Sequence, residues 1–217
     1  TVLHPVMEAD EAKRIADELG AIHKVIHVDE LEGAGIENNP VDRCYLCKKY
    51  MFTKVKELAH SLGISTILEG TNADDLKQYR PGIKAIQELG LHSPLLEANM
   101  TKKEIRELAA DYDLKAANKP SSPCLATRFP YHTLLNYEEM RKVEKIEDYL
   151  HACGFYNVRA RIHNDLVRLE IDQDAFMKCM DYRQEIVLFI KELGYDYVTL
   201  DLEGFRSGSQ DIKLEEK

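Results

Sequence analysis

The first third of the sequence alternates helix-like segments with short strand-like segments, and this alternation restricts the fold more than any other feature. From Glu8 to Gly20 apolar residues recur at helical spacing, and Ile22–Val28 then alternates apolar with polar residues as a strand does. Tyr45–Leu62 is again helical in period, and Ile64–Leu68 is a β-branched run typical of a buried strand. Helices and strands in this order form βαβ units, so we predict an α/β domain with a parallel sheet. Farther along, Thr101 with Glu104 fits a capping box that begins a helix running to about Tyr112.

A different pattern follows a proline-rich segment, Asn118–His132, which holds three of the seven prolines and is predicted to be a loop that joins two domains. We therefore expect a parallel-sheet domain over residues 1–130 and a small α+β domain over residues 131–217. The second domain is predicted to contain a helix, two strands, a helix and a strand, at about Asn136–Cys153, Tyr156–Ile162, Leu166–Ile171, Gln173–Leu193 and Tyr197–Leu202.

The composition argues against several classes of protein. The 217 residues are 44% hydrophobic and 31% charged, as in globular proteins, and the longest apolar runs are far shorter than the roughly 20 residues that cross a bilayer. A net charge of −9 argues against a nucleic-acid partner, because neutralising phosphates supplies most of that affinity. No signal peptide opens the sequence, so we expect a cytoplasmic protein whose five cysteines are thiols or metal ligands.

Three cysteines lie in segments suited to chemistry. Cys44 and Cys47, in RCYLCKK, stand at a predicted helix start with a spacing that lets two thiolates share a metal ion or cluster. Cys124, in the proline-rich SSPCLATR, is the candidate third thiolate, and three thiolates on a cubane cluster leave one iron open for an exogenous sulfide. The alternatives are a chance pair in a helix, a closed zinc site, and a single reactive thiol at Cys124, favoured as thiolate by Arg128.

A polar stretch, EGTNADDL, follows the second predicted strand. Its side chains could bind ribose hydroxyls or a magnesium ion carried by phosphates. The compatible alternative is a helix N-terminus, in which a threonine or asparagine caps the helix and the aspartates favour its dipole. The candidate nucleotide-binding residues are Glu69, Thr71, Asn72, Asp74 and Asp75.

Arginines alternate along the first strand of the predicted hairpin, and alternate residues of a strand project from one face. Guanidinium groups in a row suit bidentate capture of a phosphate or carboxylate, whereas a solvated sheet face is the alternative. The C-terminal segment RSGS, with Arg206 and Ser209, is a further candidate anion-binding turn. The row and its neighbours on the next strand are Arg159, Arg161, His163, Arg168 and Glu170.

Six segments, taken in order, resemble the LarE family over nearly the whole chain: RCYLC, EGTNADDL with YRPG, SPLLE with TKKEIRELA, KPSSPCLATR, RARIH and GYDYVTLDLEGFRSGS. The resemblance implies a PP-loop ATP pyrophosphatase fold, of the adenine nucleotide alpha hydrolase-like type. It also implies an ATP-dependent sulfur transferase that forms AMP and pyrophosphate. Such enzymes adenylylate a carboxylate of pyridinium-3,5-biscarboxylic acid mononucleotide and replace the activated oxygen with sulfur, on the way to the nickel-pincer nucleotide cofactor.

The resemblance also implies ligands, partners and residue roles. The three-cysteine pattern is similar to members that hold a 4Fe–4S cluster, whereas other members sacrifice one cysteine, matching Cys124, which becomes dehydroalanine. ATP, Mg²⁺ and the cluster are the implied cofactors, a small nucleotide is the implied substrate, and a homo-oligomer such as a hexamer is the implied assembly. The cluster ligands would be Cys44, Cys47 and Cys124, and the substrate site near Cys124 would contain Arg159, Arg161 and Glu170, with Arg128 and Ser209 assisting phosphate binding.

One family element does not occur in the sequence. No SGGVDS-like pyrophosphate-binding loop is found, and we expect it in a segment that precedes Thr1. If the chain were truly this short, adenylylation would be in doubt, so a non-catalytic nucleotide-binding subunit is one alternative. A tRNA-thiolating PP-loop enzyme is the other, although the net charge argues against it.

Overall fold

The computed structural model describes Leu3 and residues 7–118, 123–206 and 208–210. These residues form two compact units. Unit 1 contains residues 7–118, and unit 2 contains Leu3 together with residues 123–206 and 208–210. Among the described residues, no helix is both long enough and apolar enough to cross a membrane.

Unit 1 consists mainly of helices. Three of them, α1, α3 and α6, confirm helices predicted from the apolar spacing. Thr101 and Glu104 form the expected capping box of α6, in which each side chain accepts a hydrogen bond from the other residue's backbone N–H. The helices are α1 Met7–Glu18, α2 Glu30–Gly33, α3 Arg43–Ser61, α4 Gly82–Glu88, α5 Pro94–Glu97 and α6 Lys102–Asp111, with 3₁₀ turns at Ala73–Lys77 and Lys115–Asn118.

The two strands predicted for unit 1 are wrong in the structure. Residues 21–29 have no regular secondary structure, and Ile22 is 90% exposed. In the second predicted strand Ile64 and Leu68 are more than half exposed, and Leu68 makes an isolated parallel bridge to His92. A strand is stabilised by side-chain pairs with a neighbouring strand. Among the described residues of unit 1, neither segment has a neighbouring strand with which to form a ladder.

Helix α3 is anchored to α4. Tyr45 and Lys49 of α3 both donate to Glu88 Oε2 of α4, at 2.7 and 2.8 Å. Gly82 lies under the stem of Lys48, where a methyl group would come within 2.7 Å of Lys48 Cδ. Glycine at this position therefore lets the first turns of α3, which carry the cysteine pair, approach α4 closely.

Unit 2 contains a helix, a hairpin and a third strand in the order expected from the sequence. Its antiparallel hairpin turns at Asn164, whose φ of 58° is the left-handed conformation that asparagine tolerates. The third strand adds parallel to the second, giving the order β1-β2-β3. The elements are a 3₁₀ turn Leu125–Arg128, α7 Tyr137–Ala152, β1 Val158–His163, β2 Leu166–Ile171, a 3₁₀ turn Gln173–Ala175, α8 Phe176–Asp181, α9 Arg183–Glu192 and β3 Tyr197–Leu200.

One helix of unit 2 differs from its prediction. The predicted helix from Gln173 to Leu193 is a 3₁₀ turn followed by the two helices α8 and α9. The break between the helices lies at Tyr182, whose φ of −89° and ψ of 6° leave the helical region.

The core of unit 2 lies between α7 and the sheet. Asn136 caps α7 by accepting a hydrogen bond from Glu139 N, as its position predicts. The helix then buries a stripe of apolar side chains at helical spacing and packs against β1. Each such side chain contributes about 1.5–3 kcal/mol on burial. The stripe consists of Met140, Val143, Ile146 and Leu150, and the strand residues include Val158, Ala160, Val167, Leu169 and Ile171.

Candidate anion-binding site

The arginines predicted to lie in a row on β1 are buried. Arg159 and Arg161 are each 6% exposed, which excludes the alternative of a solvated sheet face. The antiparallel register places Glu170 of β2 opposite Arg159 and Arg168 opposite Arg161. Strand β1 therefore carries two positive charges into the interior of unit 2, where β2 supplies a carboxylate.

Arg161 and Glu170 form the first ion pair of the site. Arg161 Nε and Nη2 donate to the two carboxylate oxygens of Glu170, both at 3.1 Å, and Glu170 is fully buried. Ser209 Oγ accepts from Arg161 Nη2 at 2.8 Å and donates to the Glu170 carboxylate, whose oxygens lie 3.0 and 3.1 Å away. The predicted residues Arg161, Glu170 and Ser209 therefore lie in one hydrogen-bonded group.

Arg128 and Glu147 form the second ion pair. Arg128, 2% exposed, donates through Nε and Nη2 to the two oxygens of Glu147, at 2.8 and 2.7 Å. Glu147 also accepts from Ala160 N at 2.9 Å, so this carboxylate connects α7 with the 3₁₀ turn and with β1. Burial raises the pKa of the Glu147 carboxyl, but the charge and hydrogen bonds of Arg128 outweigh it and hold the pKa below its ordinary value.

Arg159 lies over an aromatic ring. Its guanidinium carbon is 5.1 Å from the centroid of the Phe205 ring, a cation–π contact. Burial, followed by the positive charge of Arg128, lowers the pKa of Arg159 to about 10, so the guanidinium is still charged at neutral pH. We call Arg128, Arg159 and Arg161, with Glu147 and Glu170, the arginine cluster. It contains three guanidinium groups and two carboxylates, and a bound anion would lower the repulsion among the cations.

The segment after β3 positions Phe205 against the cluster. Phe205 N donates to Ile171 O at 2.8 Å, at the end of β2. The preceding Gly204 has a φ of +73°, and a methyl group there would lie 2.9 Å from Ile171 O, so this return of the chain requires glycine.

Cys124 stands at the start of the 3₁₀ turn that ends with Arg128. The thiol-bearing residue is half-buried, and its carbonyl oxygen accepts from Thr127 Oγ1 at 2.8 Å and from Arg128 Nη1 at 3.3 Å. Arg161 Nη1 in turn donates to Thr127 O. The structure therefore ties the turn of Cys124 directly to the arginine cluster.

Arg206 is paired with carboxylates, which the sequence pattern did not predict. It donates to Glu203, and its Nη2 lies 3.4 Å from Asp201 Oδ2, which Arg168 Nη1 approaches at 3.6 Å. The guanidinium predicted to bind an anion is therefore already engaged with two carboxylates of its own loop.

In unit 1 the cysteine pair stands at the start of α3, as predicted. Cys44 is exposed and Cys47 is half-buried, and residues three apart on a helix lie on the same face. Two thiols so placed suit a shared metal ion or cluster. Among the described residues, however, no three His, Cys, Asp or Glu side chains are grouped to hold a metal ion. The cluster and its ligand set stay a prediction.

Glu69 is the hydrogen-bonding centre of the polar stretch in unit 1. It accepts from Thr71 N at 3.1 Å, from Thr71 Oγ1 at 2.8 Å and from Ser93 Oγ. Lys48 Nζ, one residue after Cys47, lies 3.9 Å from Glu69 Oε2. The carboxylate therefore fixes the backbone that leaves the second predicted strand.

The other residues of this stretch act as caps and ion-pair partners. Asn72 and Asp75 form a capping box at the 3₁₀ turn Ala73–Lys77. Asp74 accepts from Lys102 N at 2.9 Å, and Asp75 pairs with Arg80 at 3.0 Å. These contacts match the alternative of a capped helical turn, and nucleotide binding by the stretch stays a prediction.

No protein-family model matches the chain. The pyridinium-3,5-bisthiocarboxylic acid mononucleotide synthase of Lactiplantibacillus plantarum, a LarE protein, is 37% identical over 207 residues, which are 95% of this chain and 75% of that protein. The chain belongs to the LarE family. An uncharacterized protein of Synechocystis is 36% identical over 93% of the chain and 76% of its own length. One of Methanocaldococcus jannaschii is 33% identical over 85% of the chain and 70% of its own length.

In this LarE-family chain the structure brings together most residues predicted for unit 2 and adds others. Sequence reasoning missed Glu147, because a glutamate within a helix is typical of a solvent-exposed position. Its helical spacing nevertheless indicates burial, because Glu147 falls on the apolar stripe of α7, four residues after Val143 and three before Leu150. Predicted residues in or beside the arginine cluster are Cys124, Arg128, Arg159, Arg161, Glu170 and Ser209, and the additional residues are Thr127, Glu147, Phe205 and Gln210.

Proposed function

We propose that this LarE-family protein is an ATP-dependent sulfur transferase that converts the carboxylates of pyridinium-3,5-biscarboxylic acid mononucleotide to thiocarboxylates. The name of the L. plantarum relative supports this class of product. The observation that carries the proposal is the burial of Arg159 and Arg161 beside the turn that bears Cys124. A substrate with one phosphate and two carboxylates is the kind of polyanion that buried guanidinium groups bind.

In unit 2 the substrate is first bound and then receives sulfur. Arg159 and Arg161 hold and orient the anionic groups of the substrate, while Glu170 and Ser209 fix the guanidinium plane of Arg161. Adenylylation by ATP releases pyrophosphate and turns a carboxylate oxygen into part of a leaving group. When sulfur attacks the carbonyl carbon, AMP departs with that oxygen, and a new C–S bond replaces the C–O bond.

For unit 1 we propose the binding of ATP and Mg²⁺ on a PP-loop fold. Family membership supports this proposal, and the candidate ligands are the polar groups around Glu69, Thr71 and Asn72, together with Asp74 and Asp75. Omission of Mg²⁺ should then abolish pyrophosphate release from ATP.

The source of sulfur has two versions. In the version that the three-cysteine pattern favours, Cys44, Cys47 and Cys124 hold a 4Fe–4S cluster that receives sulfide. In the other, the Cys124 thiolate attacks the acyl adenylate, and elimination at its Cβ leaves the sulfur on the product and dehydroalanine on the protein. Protein purified without oxygen distinguishes them: the first version predicts about four iron atoms per chain, and the second predicts a mass loss of about 34 Da after turnover.

The test of the function is turnover by the native full-length protein. Incubation with ATP, Mg²⁺ and the biscarboxylate nucleotide should release pyrophosphate and give thiocarboxylate, detected by mass spectrometry as a replacement of oxygen by sulfur. Nucleotide binding without pyrophosphate release would instead favour a non-catalytic subunit. Tight binding of bulk tRNA at physiological salt would favour a tRNA-thiolating enzyme.

A further inference from the structure

The two cysteines of α3 form a dithiol at the start of that helix. Cys44 is exposed, Cys47 is half-buried, and the two lie on one face of the first turns. Residues spaced in this way on an α-helix have Cβ atoms about 5–6 Å apart. A disulfide requires a Cβ separation of about 3.5–4.5 Å. A closure of about 1–2 Å would therefore bring the two sulfur atoms within bonding distance.

The backbone at the start of α3 allows this closure. Tyr45 N donates to Asp42 O at 2.9 Å, which is the bond of a 3₁₀ helix, and Leu46 N donates to the same oxygen at 3.1 Å. In a 3₁₀ turn the side chains three residues apart eclipse one another, so a tighter turn brings Cys44 towards Cys47. Within the described structure, the side chain of Asp42 makes no capping hydrogen bond. The turn therefore lacks a restraint that typically contributes about 1 kcal/mol.

We propose that Cys44 and Cys47 form a reversible disulfide by exchange with a small disulfide of the glutathione class. This exchange is separate from sulfur transfer, because it requires neither ATP nor the nucleotide substrate. Thiolates bind metal ions, whereas the sulfur atoms of a disulfide are no longer thiolates. The redox state of the pair therefore determines whether it is able to share a metal ion or cluster.

The exposure of the two thiols assigns the order in which they react. The exposed Cys44, as thiolate, attacks one sulfur of the small disulfide, which forms a mixed disulfide and releases a small thiolate. Cys47, half-buried and less accessible to a bulky disulfide, then attacks the Cys44 sulfur and releases the second small thiolate. The protons of the two cysteines end on the two released thiols. The cysteine pair is thus oxidised by two electrons, and the small disulfide is reduced.

Closure of the pair acts against the contact between α3 and α4. Tyr45, between the two cysteines, donates to Glu88 Oε2 at 2.7 Å. A methyl group on Gly82 would lie 3.4 Å from Cys44 O, so the backbone of this turn is in contact with the start of α4. Removing the Tyr45 hydroxyl should ease the closure. Tyr45→Phe should therefore raise the equilibrium constant for oxidation by about three- to tenfold, as the loss of one hydrogen bond implies.

The experiment equilibrates the native full-length protein, reduced and freed of metal by a chelator, with mixtures of reduced and oxidised glutathione. Acid stops the exchange, and mass spectrometry of alkylated peptides locates the bridges. As the oxidised share rises, the peptide of Cys44 and Cys47 should lose about 2 Da, while Cys153 and Cys179 are still alkylated. Reduced glutathione should restore both thiols. The proposal is overturned if the pair forms no bridge, if reduced glutathione does not reverse it, or if either cysteine bridges to Cys124 instead.

Two pairs of variants test the order of reaction and the link to α4. Cys47→Ser should trap glutathione on Cys44, with a mass gain of about 305 Da, and Cys44→Ser should gain this mass at least about tenfold more slowly. Equal rates would overturn the assigned order. Tyr50→Phe is the matched control for Tyr45→Phe, because the Tyr50 ring lies against Gly33 of α2. It should leave the oxidation equilibrium unchanged, and equal effects of the two variants would overturn the link to α4.

Discussion

Two ion pairs, one from each unit, lie in opposite environments. In unit 1, Asp75 and Arg80 pair at 3.0 Å with side chains that are 20% and 53% exposed. In unit 2, Arg128 and Glu147 pair at 2.7 Å with side chains that are 2% and 9% exposed. An exposed pair contributes about 0–1 kcal/mol, whereas breaking a buried pair costs about 3–5 kcal/mol because a charge is left uncompensated.

This difference indicates which candidate site is built for an anion. Buried ion pairs are seldom more stabilising than apolar side chains of similar volume, so stability alone does not account for the arginine cluster. In the polar stretch of unit 1 the side chains instead satisfy backbone N–H groups as caps, as those of Asn72 and Asp75 do. The polar stretch of unit 1 therefore has a sufficient structural explanation, and the cluster of unit 2 calls for a ligand.

The largest expected effect separates the cysteines of the two units. Cys124→Ser should reduce thiocarboxylate formation to background while pyrophosphate release continues, because adenylylation precedes sulfur transfer. Cys44→Ser tests whether unit 1 takes part in sulfur transfer. If Cys44 is a cluster ligand, this variant should lose both its iron and product formation. Iron content and product mass measure both variants. Cys153→Ala is the control and should keep full activity. Full product formation by the Cys124 variant would contradict its role in sulfur transfer.

The second prediction compares the stabilities of the two ion pairs. Glu147→Ala should lower the free energy of unfolding by about 3–5 kcal/mol, because Arg128 is left charged and buried. Arg80→Ala should lower it by at most about 1 kcal/mol. Urea denaturation measures both. The double variant Arg128→Met with Glu147→Leu should recover most of the loss. Equal losses in the single variants would mean that the pairs do not differ in environment.

Local signals in the sequence predicted helix starts better than they predicted the strands of unit 1. Thr101 with Glu104 and Asn136 with Glu139 both form the expected helix starts, because a cap depends on residues within four positions. The strand predicted at Ile64–Leu68 depends on neighbours that a sequence pattern does not specify, and it makes a single bridge.

The candidate site shows the same limit. The alternation of Arg159 and Arg161 predicted a shared face, but their packing involves residues far away in the sequence: Phe205 lies against Arg159, and Ser209 bonds to Arg161. Arg206 was predicted to bind an anion, and the pattern did not show that Asp201 and Glu203 pair with it. Residue types and spacing indicate which charges exist, and only the fold decides which of them are paired.

The third prediction concerns Gly204, which lets Phe205 reach Arg159. Gly204→Ala combines a left-handed φ of +73° with a methyl group 2.9 Å from Ile171 O. Gly63→Ala, at a φ of +72° with nothing within 4 Å, is the matched control in unit 1. The control should cost about 1 kcal/mol of unfolding free energy and Gly204→Ala about 2–3 kcal/mol. Only Gly204→Ala should also weaken ribose 5-phosphate binding. If neither variant loses affinity for ribose 5-phosphate, Phe205 does not contribute to anion binding.

The smallest expected effect is on acid stability. The pKa of Glu147 in the folded protein lies below its ordinary value of 4.5, so the folded state binds this proton less readily than the unfolded state. Its stabilising contribution is therefore complete above about pH 4.5 and is lost as the pH falls through the lower, folded-state pKa.

Urea midpoints between pH 7 and pH 3 should fall steeply in the native protein and less steeply in Glu147→Gln, which has no such carboxyl to protonate. Glu104→Gln, at the exposed cap of α6 in unit 1, should leave the steepness nearly unchanged, because water screens that charge. If both variants flatten the curve equally, burial does not determine how much a carboxylate contributes to the loss of stability in acid, and the two carboxylates do not differ in this respect.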